Sequence, residues 1–376
     1  MDSLSRTANG QLIISLLEGF APKKMAMEGD PIGLQVGSLN KPVKKVMIAL
    51  DVLDNVVDEA IHGEVDLIIA HHPLLYRPLK RIDTSTSKGR VIEKLIKHDI
   101  TVYAAHTNLD VTALGVNNWL ADQLQLMDTE VLSTTYEDKL VKLSVFVPIT
   151  HEEKVRQAIG NAGAGHIGNY SHCTFTSSGM GTFTPLEGTS PYIGKQGQLE
   201  QTEEVKIESI MPESIQKSVI SAMKKAHPYE EVAYDLYPLL NKGNELGIGK
   251  IGKLAKEMGL QEFVDHVKKV FGISRLRVIK GQKDSIKKVA VVGGDGNKYI
   301  YPSLHKGADA LVTGDIYYHN AHDAQEEGLT IVDAGHHIEG VMKRELKKVL
   351  EDELQSRNYD TVVVESELIT DPFTYM

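Results

Sequence analysis

The sequence predicts an α/β protein: two duplicated α/β lobes with mostly parallel sheets that form one core, interrupted by a ferredoxin-like α+β insert. Three observations carry that prediction. Near-continuous apolar strands alternate with helices in the first third of the chain. The same order returns in the last third, and the middle follows a βαββαβ pattern of its own.

In the first third, "VKKVMIALDV" (43–52) reads as a strand, "DNVVDEAIHGE" (54–64) as a helix and "VDLIIAHH" (65–72) as a strand. "SKGRVIEKLIKHD" (87–99) is a helix, "ITVYAAH" (100–106) a strand and "ALGVNNWLADQL" (113–124) a helix. In the last third, residues 286–315 align without a gap with 43–72, and "LTIVDAGHHIE" (329–339) aligns with "ITVYAAHTNLD" (100–110). We read this as an internal duplication; chance likeness between two amphipathic βαβ units is the competing reading. The register sets His72 opposite Asp315 and Asp110 opposite Glu339. Polar residues thus gather at the C-terminal ends of equivalent strands, where open α/β sheets bind ligands.

The middle reads as strand "KLVKLSVFVP", helix "THEEKVRQAIGNAG", strands "SHCTFTSSGMGTF" and "EEVKIESIMP", helix "ESIQKSVISAMKKAHP" and strand "YEEVAYDLYP", with a glycine-rich loop over 179–197. That is the split βαββαβ motif. The expected organisation is core lobe 1 over 1–136, the insert over 137–244 and core lobe 2 over 245–376.

Composition narrows the function classes. With 41% hydrophobic and 24% charged residues the chain is an ordinary globular one. A formal charge of −10 argues against a general nucleic-acid coat. The single cysteine, Cys173, rules out a disulfide framework or a cysteine-built zinc site and fits a reducing cytoplasm. The N-terminal "MDSLSRTANGQLIISLLEGF" lacks the pattern of a signal peptide, and no apolar window is long enough to span a membrane.

The 15 histidines cluster, in "AHHP", "HTNLD" and "GHHIE". Histidine nitrogen with carboxylate oxygen suits zinc, iron, manganese or cobalt. Pro73 keeps His72 off helical backbone, so His71 and His72 are expected on extended chain, pointing to opposite sides and each serving one of two ions. His336 and Glu339, three apart at a helix start, share one face. Asp110 could bridge two ions, and His106 could be a ligand or a supporting donor. Each has a plainer reading: a solvated loop for the His pair, a helix-start carboxylate for Glu339, an N-cap for Asp110. Their coincidence at equivalent points of a repeated lobe favours the metal site. "VVGGDGNKY" (291–299) lacks the ending of a phosphate-binding loop and reads as a close-approach turn lining that site. "HPYEE" (227–231) could hold a ligand through His227 and Glu230, or be a turn after a helix.

With "GDPIGLQVG" (29–37), these motifs resemble the family named for NGG-interacting factors, whose bacterial members include dinuclear metal-centre proteins called GTP cyclohydrolase I type 2 homologues. The resemblance covers roughly 1–135 and 245–376, and the insert resembles the PII-like domain of longer relatives through "AHPYEEVAYD". It implies two divalent ions per chain, zinc first, with iron, manganese or cobalt as alternatives. The implied ligands are His71, His72, Asp110, His336 and Glu339, with Asp110 bridging and His337 outside the set. It also implies a homohexamer whose sites face an internal cavity capped by trimer-forming inserts. A metal pair makes hydroxide from water near neutral pH, so the expected activity is metal-dependent hydrolysis of a nucleotide or other small substrate, with His106 as general base. The alternatives are a non-catalytic metal-binding regulatory assembly whose insert binds a ligand or partner, and a toroidal DNA acceptor, which the charge counts against.

Overall fold

The computed structural model describes residues 6–374, so the expectation about the start of the chain rests partly on residues outside the described ones. The chain divides into two compact units, Met1–Tyr136 with Leu246–Met376, and Glu137–Glu245.

The first unit opens with helix α1 (Gly10–Phe20), capped by the Asn9 side chain, which accepts the Leu12 N–H. There follow β1 (Gly33–Val36), β2 (Lys45–Ala49), α2 (Asp54–His62), β3 (Leu67–Ala70), α3 (Ser87–Lys97), β4 (Thr101–Ala104), α4 (Thr107–Val111), α5 (Val116–Gln123) and β5 (Met127–Asp138). The helix expected over 113–124 is α5, which starts at Val116; a short α4 not expected from the sequence precedes it, and the chain turns between the two at Thr112–Gly115, where a Cβ on Gly115 would lie 1.8 Å from the Leu109 carbonyl.

The second unit comprises β6 (Leu140–Pro148), α6 (Glu152–Asn161), β7 (Phe175–Phe183), β8 (Glu200–Pro212), α7 (Gln216–Ala226) and β9 (Tyr234–Pro238). Its antiparallel sheet runs β7-β8-β6-β9, the strand order of a ferredoxin-like split motif, with Val145, Val147, Ile159 and Val219 in its core. Two boundaries differ from expectation. Part of the span expected as loop, 179–183, is strand, and β9 starts at Tyr234 rather than Tyr229 because Pro228 bends the chain leaving α7.

The first unit resumes with β10 (Asn244–Gly259), α8 (Leu260–Phe271), β11 (Arg277–Ile279), β12 (Ser285–Asp295), α9 (Ile300–His305), β13 (Ala310–Gly314), α10 (Tyr318–Glu326), β14 (Thr330–Asp333), α11 (Val341–Ser356) and β15 (Val362–Glu365). One sheet is ordered β1-β4-β3-β2-β15, the other β11-β14-β13-β12-β10-β5. In each, three consecutive parallel strands carry an antiparallel strand on the same edge, β1 on β4 and β11 on β14.

Both sheets are covered on two faces, which is why their parallel strands are apolar at nearly every position. Val46, Ile48 and Ile69 of one sheet share a core with Val289, Val291 and Val312 of the other, filled by Ile13, Leu17, Leu120, Phe263 and Leu346 from α1, α5, α8 and α11. The alternate residues Met47, Ala49 and Ile68 pack outward on α2 and α3, while Ala290, Val292 and Leu311 pack on α9 and α10. Among the described residues no helix is long and apolar enough to cross a membrane.

Candidate metal centre

The candidate ligands sit just past the C-terminal ends of parallel strands. His71 and His72 follow β3, His106 follows β4, and Asp110 lies inside α4. His336 and Glu339 occupy a 3-10 turn, His336–Gly340, that leads from β14 into α11. In such a turn positions i and i+3 eclipse, and His336 Nε2 lies 3.2 Å from Glu339 Oε2.

The expectation that His71 and His72 point to opposite sides is corrected. The chain bends at this pair instead of staying extended, and their ring centroids lie 5.1 Å apart. Their Nε2 atoms approach the same oxygen, Glu339 Oε2, at 3.8 and 3.1 Å. Three groups of ligand atoms result, each within 4.8 Å: His71 with His72 and His106, His72 with His336 and Glu339, and His71 with Asp110 and Glu339. Glu339 belongs to two of these groups and Asp110 to one.

Asp110 is not a helix cap. It is buried within α4, and the N-cap position of α5 is Gly115, which offers no side-chain cap. Its Oδ1 has no hydrogen-bond partner, nor has Nε2 of the fully buried His71, 3.6 Å away. Leaving such atoms unsatisfied costs about 1–3 kcal/mol each, which a bound cation would offset.

The opposite edge of each imidazole is fixed. Nδ1 donates to Asp51 Oδ1 from His72 at 2.7 Å, to Asp315 Oδ2 from His336 at 2.6 Å, and to the Ala105 carbonyl from His71 at 3.0 Å. Nδ1 of His106 faces Asp30 Oδ1 at 2.9 Å. In the neutral form with Nδ1 carrying the proton, each Nε2 would present its lone pair to the centre, the arrangement that orients metal-ligating histidine. Asp315 reaches its place through left-handed backbone, φ 56°, which aspartate tolerates better than most residues.

Charge in the cluster is balanced by the imidazoles. Burial alone would lower His72, but Asp51 and Glu339 outweigh it and push it up to about 10. Contact with Glu339, against burial, raises His336 to about 9. Glu339 moves the other way: burial would raise it, yet His336, His71 and His72 hold it well below the usual carboxylate range. Asp110 is raised, by burial first and by the nearby Glu339.

The glycine pair Gly293–Gly294 near the end of β12 closes against this cluster. Gly294 has φ +64°, and a Cβ there would lie 2.7 Å from Glu339 Oε1. The donor set of imidazole and carboxylate, without thiolate, suits a borderline divalent metal such as zinc or iron. The cluster opens on a cleft of about 840 Å³ lined by Tyr76, Lys298, Tyr299 and Phe373 among others.

Sequence reasoning missed Asp51, Asp315 and Asp30 as the groups that orient histidines. The signal was available, since Asp51 and Asp315 lie within two residues of the C-terminal ends of β2 and β13, and Asp30 sits in the "GDPIG" stretch. His337 lines the cleft but joins none of the three groups. His227 is occupied: Nε2 donates to the Phe146 carbonyl at 2.9 Å and Nδ1 accepts the Tyr229 N–H at 3.1 Å. Glu230 instead accepts the Ser190 N–H.

Residues 8–372 match the family described as Duf34/NIF3 (NGG1p interacting factor 3). A Halalkalibacterium halodurans protein named GTP cyclohydrolase 1 type 2 homolog is 56% identical, over 99% of this chain and 100% of its own. A Bacillus subtilis protein of the same name is 53% identical, over 99% and 100%. The crystal structure of a Bacillus cereus protein related to NIF3 superposes with a TM-score of 0.94 at 56% identity, covering 99% of this chain and 100% of that one.

Proposed function

This chain belongs to the Duf34/NIF3 family, and from that premise we propose that it is a hydrolase using two divalent metal ions to act on a nucleotide or another small substrate. The observation that carries the reading is the convergence of the His71, His72 and His336 Nε2 atoms on buried Glu339, with Asp110 beside His71 and His106 beside the histidine pair, and with Nδ1 of each of the four imidazoles tied to an acceptor. His71, His72, Asp110, His336 and Glu339 would hold the ions. Ions held there supply Lewis acidity and make water nucleophilic near neutral pH.

The protein's own groups define the rest. The cleft is within the size range of small-ligand sites. Lys298 is its one lysine or arginine among the described residues and suits a phosphate, while Tyr76 and Phe373 offer apolar faces to a heterocycle. His106, backed by Asp30, is the proton acceptor: Nε2 takes the proton, and Asp30 steadies the imidazolium that forms. In the reaction suggested by the relatives' name, one water adds at guanine C8 and opens the five-membered ring to a formamide, and a second water cleaves that formamide to formate and a free amine.

One observation favours a second reading. The His71–Asp110–Glu339 group is wholly buried, as a structural site would be, whereas His72 and His336 face the cleft. A metal-binding regulatory assembly would use the first and leave the second idle. The proposal also keeps a cytoplasmic homohexamer with a PII-like insert, which light scattering checks. The deciding experiment measures formate release from GTP and cleavage of phosphate monoesters by metal-loaded protein. Turnover that Asp110→Ala abolishes, and whose KM rises about tenfold in Lys298→Ala, supports the hydrolase. Full metal loading with no turnover in either assay supports the regulatory reading.

A further inference from the structure

The Glu137–Glu245 unit carries a pocket of about 300 Å³ that none of the proposed chemistry uses. Its walls are Phe183 at the end of β7, Tyr192 in the following loop, and Tyr229 after α7. The Tyr229 ring stands between the other two, 5.9 Å from Phe183 and 6.3 Å from Tyr192, at interplanar angles of 58° and 48°. Rings at these spacings are in ordinary aromatic contact, and together they make one aromatic wall of the pocket.

The polar lining is one-signed. Glu204, Glu230 and Glu231 contribute three carboxylates, and among the described residues no lysine, arginine or histidine lines the pocket. Two of these carboxylates are held in place. Glu204 Oε1 accepts the Tyr229 hydroxyl at 2.9 Å, and Glu230 Oε1 accepts the Ser190 N–H at 3.0 Å, tying the loop that carries Tyr192. Gly181 leaves room for Glu204, since a Cβ there would lie 2.2 Å from Glu204 Oε2. His227, edge-on to Tyr229 at 5.0 Å, is lowered by burial and adds no positive charge near neutral pH.

Carboxylates alone would suggest a hard metal ion. Here they are too dispersed: among the described residues, every group of three ligand atoms close enough to hold an ion lies in the other unit. Aromatic faces attract cations through the ring quadrupole when the charge comes within about 6 Å of the centroid, and they are the recognition surface for quaternary ammonium groups. We propose that this pocket binds a small organic cation, an alkylammonium headgroup seated against Phe183, Tyr192 and Tyr229 and neutralised by Glu204 and its neighbours. The site is independent of the metal centre.

The test uses the full chain and isothermal titration with choline, with its neutral isostere 3,3-dimethyl-1-butanol, and with magnesium. Choline should bind saturably, at least about tenfold tighter than the isostere, and magnesium should not compete. Tyr192→Ala, at a half-exposed position, should weaken choline about fivefold to tenfold, while Tyr192→Phe, which keeps the ring face, should retain it. Glu204→Gln should weaken it further, and Asp110→Ala in the metal centre should leave it unchanged. Equal binding of choline and its isostere would show an apolar pocket and overturn the proposal. So would choline binding indifferent to Tyr192→Ala. If choline does not bind and Tyr192→Asp disrupts an assembly seen by light scattering, a second copy of the chain fills the pocket and the proposal also fails.

Discussion

Nε2 of His72 lies 3.1 Å from Oε2 of Glu339, although 267 residues of chain separate them. The same oxygen faces His336 at 3.2 Å and His71 at 3.8 Å. Glu339 therefore joins the ligands that follow β3 to those that follow β14. Glu339→Gln should keep the fold, because the amide is isosteric, yet lower the affinity for both ions by at least about a hundredfold. Metal content after dialysis against a weak chelator measures this. A variant that keeps two tightly held ions would remove Glu339 from the centre.

Asp110 should show a trade between stability and binding. Burial disfavours its charged form, and Oδ1 lacks a partner. With ions stripped, Asp110→Asn should be more stable than the parent by about 1–3 kcal/mol, because a costly buried carboxylate is gone. With zinc present the order should reverse. Paired denaturant titrations with chelator and with metal decide it; the same order in both would leave Asp110 outside the centre.

Asp51 and Asp315 orient ligands without joining the ligand groups. Asp51→Asn and Asp315→Asn should each weaken metal binding about tenfold to a hundredfold while metal remains bindable. Chelator competition reads the loss. Because Asp51 is tied to His72 and Asp315 to His336, each variant should affect the cleft-facing group more than the His71–Asp110–Glu339 group. An unchanged affinity would mean that packing alone holds the rings.

Removing the insert should spare the metal centre. All five proposed ligands belong to the first unit, and the chain ends meet at the second: Gly243 N–H donates to Glu137 Oε1 at 2.9 Å, and β5 lies beside β10 in one sheet. Replacing 139–242 with a two-residue turn such as Asn-Gly should leave a folded, metal-binding core. A folded deletion variant that no longer takes up metal would show that the insert completes the site.

Much of this architecture was legible in the sequence because it is set locally. Apolar runs such as "KVMIA" and "LIIA", short, bounded by helix signals and rich in β-branched residues, read as strands buried on both faces, with the polar residues behind them at the strand ends. That placed His71, His72, His106, Asp110, His336 and Glu339 at or just beyond strand ends, where the structure brings them together. The residue types alone favoured a divalent metal. The close approach of Gly293 and Gly294 to the site was also readable, although they lie at the end of β12 and not in a turn after it.

The tertiary structure decided how these residues meet. No local rule says that His71 and His72 bend toward one carboxylate, that Glu339 rather than Asp110 is shared between groups, or that the helix start is a 3-10 turn. Nor does spacing tie Asp51 to His72 or Asp315 to His336 across 21 residues each. The aromatic wall of the insert's pocket gathers Phe183, Tyr192 and Tyr229 from three separate segments. Periodicity fixes which face of a strand or helix is apolar, but the atoms across a site belong to different elements. Their distances follow from how two sheets and the helices between them pack, a property of the whole core rather than of any one stretch of chain.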